Sequence, residues 1–384
     1  MQGCITRVSV GVMFRYIRVS LSRCASARRR RSAYDRDVDD SRRLGPRDRS
    51  TLRDISVDTG LSLSTVSQAL RGAGRISEAT RRRVQEASER LSYRANISAL
   101  HMRGARTGLV GLVAEVPDAT SWGVSDLDFL VRCERAFCDT ALTEGRYPVL
   151  LSSPLVGGAV GALPVDGIAV IDPRADDPLL ELLDERGVPH VALGRDVARA
   201  GEPTWVVDND KAAITHEALD GLYARGMRNL RLIVADSGQS YMTDVADAVL
   251  AWSSARSDVR STIAVLPLPF DPRDAEAQAA AACQEGVDTI YLAVEAALPA
   301  VLDGIAAAGR AIPDDVQILT TTDSTRAQTA RPRISAIDLH PEALGARLFQ
   351  VLEERLSGGG ADGRAVDRIV PAEVRWREST RPVP

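Results

Sequence analysis

From residue 107 onward the chain alternates short apolar runs with longer amphipathic stretches, and this alternation limits the fold more than any other feature. The runs LVGLVAEV (109–116), YPVLLSS (147–153), VDGIAVI (165–171), VPHVALG (188–194), LRLIVA (230–235), DTIYLAV (288–294) and VQILTTTD (316–323) have the length of strands. Their near-continuous apolar character suits strands buried on both faces. Helix-patterned segments lie between them, at 127–144, 178–186, 275–285 and 298–309. A strand that feeds a helix returns beside a parallel neighbour, so the pattern predicts parallel sheets covered by helices. Residues 107–384 are enough for two such α/β lobes.

Residues 51–93 follow a different period. Thr51 and Asp54 form a T-x-x-D capping box ahead of Leu52 and Ile55, which predicts a first helix from Thr51. Gly60 ends it, because glycine adopts the left-handed turn that other residues resist. Leu61 turns inward, and Ser62 caps a second helix through about Leu70, with Val66, Ala69 and Leu70 facing a core. Gly72 and Gly74 break the chain again. Ser77 caps a third helix from Glu78 to about Leu91, with Val84, Ala87 and Leu91 on one face, and Tyr93 closes the bundle. Two short helices joined by a glycine-containing turn predict a helix-turn-helix. Any small three-helix bundle could share this pattern, but the outer face of the second helix favours a DNA reader. Leu63, Ser64, Thr65, Ser67 and Gln68 lie there; small hydroxyl residues permit close approach to phosphates and base edges, and Gln can pair with adenine.

Charge follows the same division. The formal net charge is −4, yet residues 1–50 hold 13 Arg against 5 Asp and residues 51–106 hold 10 Arg against 5 acidic residues. The remainder is therefore strongly acidic. A basic front and an acidic body fit a polyanion reader joined to a solvated sensor, or equally a basic tail on another protein. Lys211 is the sole lysine of the chain. Residues 1–50 place the basic cluster Arg28–Arg31 after the apolar stretch, and Arg7, Arg15 and Arg18 interrupt that stretch. A secretory signal has the opposite order, so export is not expected. The segment reads as an inert extension or start-site artefact, or as a basic arm adding nonspecific DNA affinity.

Several chemistries lack support. The five cysteines Cys4, Cys24, Cys133, Cys138 and Cys283 form no C-x-x-C pair and suit reduced thiols of a cytoplasmic protein. His101, His190, His216 and His340 are scattered without metal-ligand spacing. Gly358-Gly359-Gly360 lacks the Lys-Ser/Thr of a phosphate loop, and no nucleophile motif is present. Asp176-Asp177 and Asp314-Asp315 fall at turns or helix starts, where carboxylates act as caps. No enzyme, cofactor, metal site or membrane span is expected.

The residues also carry a family resemblance. Asp54-Ile55, Gly60-Leu61-Ser62-x-x-Thr65-Val66-Ser67-x-x-Leu70, Ile76-Ser77-Glu78-x-Thr80-Arg81-x-x-Val84 and Leu91-x-Tyr93-x-x-Asn96 occur in order and resemble the LacI/GalR family of bacterial transcription regulators. Weaker phrases extend it: Val165-Asp166-Gly167-Ile168, Gly187-Val188-Pro189, Val207-Asp208-Asn209, Ile312-Pro313-Asp314-Asp315-Val316, Arg331-Pro332-x-Ile334-Ser335 and Arg377-Glu378-Ser379-Thr380. The resemblance implies a helix-turn-helix domain at 51–94, a hinge at 95–106 and a two-lobed effector and dimerisation domain, built like a periplasmic binding protein, at 107–384. It implies base reading by Leu63, Ser64 and Gln68, phosphate contacts from Thr65 and Ser67, and further DNA contacts from Thr51, Arg71, Tyr93, Asn96 and Met102. In the family the hinge folds on the operator and wedges an apolar side chain into the minor groove. Here Ala95 replaces the usual Pro, Met102 the usual Leu, and Arg71 the usual Asn.

The implied partners are a double-stranded operator, a second copy of the chain and a small-molecule effector held between the lobes, whose closure resets the DNA domains. A homodimer on a pseudo-palindromic operator follows because one helix reads only a half-site. The effector pocket departs from the family most. Residues 117–126 replace an Asn-Pro-Phe-like stretch, Asp244 stands near an expected Arg, and Val294-Glu295 replaces an Asn-Asp pair, while Asp323 is retained. Trp122, Asp244, Glu295 and Asp323 are the candidate lining, with Trp122 able to stack and the carboxylates able to accept. Two alternatives stay open: a regulator whose sensor works without a small ligand, and a small-molecule-binding protein that does not bind DNA.

Overall fold

In the computed structural model the described residues are 50–70, 74–93, 106–114, 128–151, 163–199, 205–358 and 368–384. They divide into two compact units, one before Ala95 and one from Ala95 onward.

The first unit is a bundle of α1 (Leu52–Thr59), α2 (Leu63–Leu70) and α3 (Glu78–Arg90). The expected caps are present. The Thr51 backbone N–H and hydroxyl donate to Asp54 Oδ2 at 2.7 and 2.8 Å. Gly60 takes φ 65°, the left-handed turn that ends α1. The Ser77 hydroxyl accepts from the Thr80 N–H at 3.2 Å. Ile55, Val66, Ala69, Val84 and Ala87 form the core, with Leu52, Leu61, Ile76, Leu91 and Tyr93 packed around them. Leu70 departs from expectation: at the last position of α2 it is 36% exposed rather than part of the core. One ion pair, Arg90 to Asp58 at 2.8 Å, ties α3 to α1.

The second unit holds two sheets. The first lobe contains β1 (Leu109–Ala114), α4 (Asp128–Thr143), β2 (Tyr147–Leu151), β3 (Gly167–Ile171), α5 (Pro178–Glu185), β4 (His190–Leu193) and β5 (Val206–Val207). Its sheet has the order β2-β1-β3-β4-β5, and every pairing is parallel. The second lobe contains α6 (Lys211–Ala224), β6 (Asn229–Ala235), α7 (Ser240–Ser254), β7 (Arg260–Leu266), α8 (Pro272–Gln284), β8 (Thr289–Leu292), α9 (Leu298–Ala307), β9 (Gln317–Thr320), α10 (Thr325–Thr329) and β10 (Ser335–Asp338). α11 (Pro341–Leu356) then packs on α4 and the first sheet, and β11 (Glu373–Arg375) returns antiparallel to β10. The second sheet runs β11-β10-β9-β8-β6-β7.

The apolar runs behave as their composition requires. β3, β4, β8 and β9 are buried along their whole length. Asp177 caps α5 by accepting from the Leu179 N–H at 2.8 Å, as the carboxylate pair suggested. Among the described residues the expected strands and helices of the body form, and the expected hinge falls mostly outside them, whereas β5, β7, β10, β11, α6, α7, α10 and α11 had no distinct signal. β5 is two residues long, and β7 carries exposed positions along its length, so neither reads as a buried strand.

The chain passes between the lobes at 208–210, at 339–340 and at 368–372, and Asn209 binds these passages together. Its amide nitrogen donates to the carbonyls of Leu339 at 3.2 Å and Val370 at 2.8 Å. The Asp208 N–H donates to Arg368 O, and the Val370 N–H donates back to Asp208 O at 2.8 Å. Among the described residues no helix is long and apolar enough to cross a membrane.

Candidate nucleic-acid interface and effector cleft

α2 carries the side chains expected to meet DNA. The Ser62 hydroxyl accepts from the Thr65 N–H at 3.1 Å and lies 2.8 Å from both the Ser64 and Thr65 hydroxyls. This hydroxyl triplet forms the first turn of the helix. Leu63 is 50% exposed, Ser64 is exposed, and Thr65, Ser67 and Gln68 are half-buried. Val66 and Ala69 occupy the opposite face and hold α2 on the core. The Gln68 carboxamide lies back over the next turn: a methyl group at Gly74, where φ is 78°, would come 2.9 Å from Gln68 Oε1. Glycine there serves both the backbone angle and the side chain resting on it.

The Ser50 hydroxyl donates to Leu91 O at 2.5 Å, which ties the start of α1 to the end of α3. Thr51 is exposed and its hydroxyl is engaged by Asp54; those hydrogen bonds hold the Asp54 carboxyl below its ordinary range. Tyr93 is half-buried against the core. Arg71, Asn96, Met102 and Trp122 lie outside the described residues.

In the second unit, the carboxyl ends of strands from both sheets meet at a cleft, the usual ligand position in open parallel sheets. Asp172 follows β3 and Arg195 follows β4, while Ser240, Tyr241 and Asp244 start α7 after β6. Glu295 follows β8 and Asp323 follows β9. The lobes touch directly here. The Arg195 N–H donates to Ser240 Oγ at 3.2 Å, and Arg195 Nη2 stands 2.6 Å from Asp244 Oδ1. The Gln239 amide donates to Asp172 O at 3.3 Å, and the Ala175 N–H to Gly238 O at 2.9 Å.

The candidate carboxylates are held by the protein itself. Asp244 is paired with Arg195, a basic group supplied from the other lobe. Asp323 is buried against Arg377 at 2.6 Å. Glu295 is buried and accepts from the Ser324 hydroxyl at 2.5 Å. Glu295 and Asp323 thus stand on adjacent strand ends, while Asp244 lies on α7. Burial raises the Asp244 carboxyl above its ordinary range, with Arg195 opposing.

Sequence reasoning passed over the centre of this cleft. Lys211, the sole lysine, is buried at the start of α6, 2.9 Å from Asp208 and 5.4 Å from the Tyr241 ring centroid. Tyr241 donates to Thr321 O at 3.5 Å, and burial raises its hydroxyl well above the usual range. Asp172 faces Lys211 and Asp208, and burial pushes its carboxyl up to about 6. Its φ of 52° is unusual outside glycine. One signal was available: a single lysine in an arginine-rich chain, beside the Val207-Asp208-Asn209 phrase.

Elsewhere Asp338, His340 and Glu373 come within mutual reach of a metal ion. Arg375 pairs with Glu373 and lies 3.5 Å from Asp338, so both carboxylates already face a cation.

Comparison with known proteins agrees with this architecture. The model described as bacterial regulatory proteins, lacI family, matches residues 51–96, and that of a periplasmic binding protein-like domain matches residues 219–380. The chain is similar to the HTH-type transcriptional regulator CelR of Thermobifida fusca, 27% identical over 87% of this chain and 99% of that protein. It is also similar to catabolite control protein A of Priestia megaterium, 24% identical over 86% and 99%. Its fold resembles a CelR–cellobiose complex, with TM-score 0.61 and 24% identity over 86% of this chain and 100% of that one. It resembles the lac repressor dimer bound to operator and the anti-inducer ONPF, with TM-score 0.69 and 17% identity over 87% and 100%. With the reader helix, its caps and the two-sheet body in place, residues 51–96 carry the domain of the lacI family of bacterial regulatory proteins, and residues 219–380 carry a periplasmic binding protein-like domain.

Proposed function

We propose that this chain is a sequence-specific DNA-binding transcriptional regulator, a repressor, acting in the cytoplasm as a homodimer on a pseudo-palindromic operator. In this reading residues 51–94 read DNA, residues 95–106 form the hinge, and residues 107–384 hold the effector and the partner subunit. The observation that carries it is α2: a capped helix whose outer surface is Leu63, Ser64, Thr65, Ser67 and Gln68, and whose other face is locked to the core. Small polar residues on a rigid helix suit major-groove docking, with phosphate contacts setting register. A small polar molecule, a sugar or another metabolite, binds at the carboxyl ends of the strands and changes lobe closure. Selection of bound sequences from a random DNA pool tests the first half. Recovery of a two-fold-related motif supports it, and recovery of no motif refutes it.

A second reading is favoured by one observation. Asp244, Asp323 and Asp208 are each paired with a basic residue of the chain, and α7 already touches the first lobe. A sensor that closes on its own contacts regulates without a small ligand. Thermal shift against a metabolite library separates the two: a stabilising compound that also changes operator affinity removes this second reading.

A further inference from the structure

Trp205 lies just before β5, and two arginines face its ring. Arg368 places its guanidinium carbon 4.1 Å from the ring centroid, and Arg355, near the end of α11, places its own at 5.7 Å. Arg368 is only 6% exposed. Its Nη2 is buried and meets no hydrogen-bond acceptor among the described residues. Its position is not accidental, since the Arg368 backbone carbonyl accepts from the Asp208 N–H at 3.2 Å. Arg355 donates to the carbonyl of His190, which begins β4.

An indole face attracts a cation but offers no acceptor to the in-plane N–H groups of a stacked guanidinium. Two guanidiniums on one ring also repel each other. Burial pulls the Arg355 guanidinium below its ordinary range, Asp184 opposes this, and Arg368 adds to it. Asp184 relieves the pair only in part, because it is itself held by Arg199 at 2.6 Å. A buried guanidinium with an unsatisfied nitrogen is unfavourable unless an anion completes it. Arginine forks match the spacing of phosphate oxygens.

We propose that Arg355 and Arg368, placed over the Trp205 ring, form an anion site of the first lobe that binds a phosphate group, free or carried on a small phosphomonoester. His190 begins β4 and Trp205 immediately precedes β5, so the site lies at the amino ends of these strands, whereas the effector cleft lies at their carboxyl ends. Binding there neutralises the paired charges and stabilises the first lobe whatever occupies the cleft.

The test is isothermal titration of the full chain with inorganic phosphate and, separately, glycerol 3-phosphate, in chloride buffers of matched ionic strength. Saturable binding that weakens at least tenfold in both Arg368→Gln and Arg355→Gln is the expected result. Saturation by inorganic phosphate alone identifies the free anion, and tighter saturation by the ester identifies a phosphorylated metabolite; each upholds the site. Should Arg368→Gln fold poorly, Arg355→Gln and Arg368→Met supply the comparison. No saturable binding of either probe, or equal binding by wild type and folded variants, overturns the proposal.

Discussion

Arg195 Nη2 lies 2.6 Å from Asp244 Oδ1 and joins the first lobe to α7 of the second. The family resemblance led to an Arg being expected near residue 244. The structure has the acid there and the base on the opposite lobe. A polar effector that engages Asp244 must therefore compete with a side chain of the protein. Removing Arg195 should weaken the self-made closure. Because the guanidinium is 41% exposed, Arg195→Ala should cost only about 1 kcal/mol or less of stability. Its operator affinity should shift several-fold, since the lobe equilibrium moves. A mobility-shift titration with no change in affinity would count against this role.

Asp172 gives a pH dependence with a definite sign. Its carboxyl is raised to about 6 by burial, with Lys211 opposing, against an ordinary value of 3.8. Between these values the folded chain holds a proton that the unfolded chain has lost. Stability from this group therefore falls as pH rises from about 4 to about 6, then stays level. The total is on the order of 3 kcal/mol. Asp172→Asn should flatten that part of the profile and raise stability at pH 7. Urea midpoints measured across the window check it, and an unchanged slope in the variant would assign the effect elsewhere.

Asn209 should be intolerant of change. Its amide meets two carbonyls, one from each of the other passages between the lobes. Asn209→Ala should cost roughly 2–3 kcal/mol, as two buried acceptors lose their donor. Asn209→Asp should cost at least as much, because a carboxylate would face the same carbonyls. A urea midpoint within error of wild type for Asn209→Asp would contradict this account of the passages between the lobes.

Gln68→Ala should relax preference at one operator position, with roughly 1–3 kcal/mol lost on the preferred base. Gly74 takes φ 78°, so Gly74→Ala should also lower affinity by straining the backbone beside Gln68. Binding to single-base operator variants reads both effects. An unchanged sequence preference in Gln68→Ala would remove Gln68 from the base-reading set.

The head was legible because its signals are local. Thr51 reaches Asp54, Ser62 reaches Thr65 and Ser77 reaches Thr80 within one turn, and residue order alone reveals such caps. Leu70 was misplaced because periodicity cannot tell where a short helix runs out of core. Most strands of the body were readable from their apolar runs; β5, at two residues, and β7, with exposed positions, lack such a run. The cleft was least legible. Asp172, Arg195, Lys211 and Tyr241 come from four separate segments, and only the crossing of the chain between lobes brings them together. Asp323 was identifiable as a strand-end carboxylate, yet its partner Arg377 is 54 residues away.

The central claim is sequence-specific operator recognition by a paired α2. The most direct measurement is competition binding of the purified full chain to a selected pseudo-palindromic site and to a scrambled duplex, over a range of salt. The account predicts a specificity ratio of at least about 10³ at moderate salt, with affinity for both duplexes falling as salt rises. It also predicts loss of that ratio in a duplex carrying only one half-site. Equal affinity for the selected and scrambled duplexes at every salt concentration would contradict it.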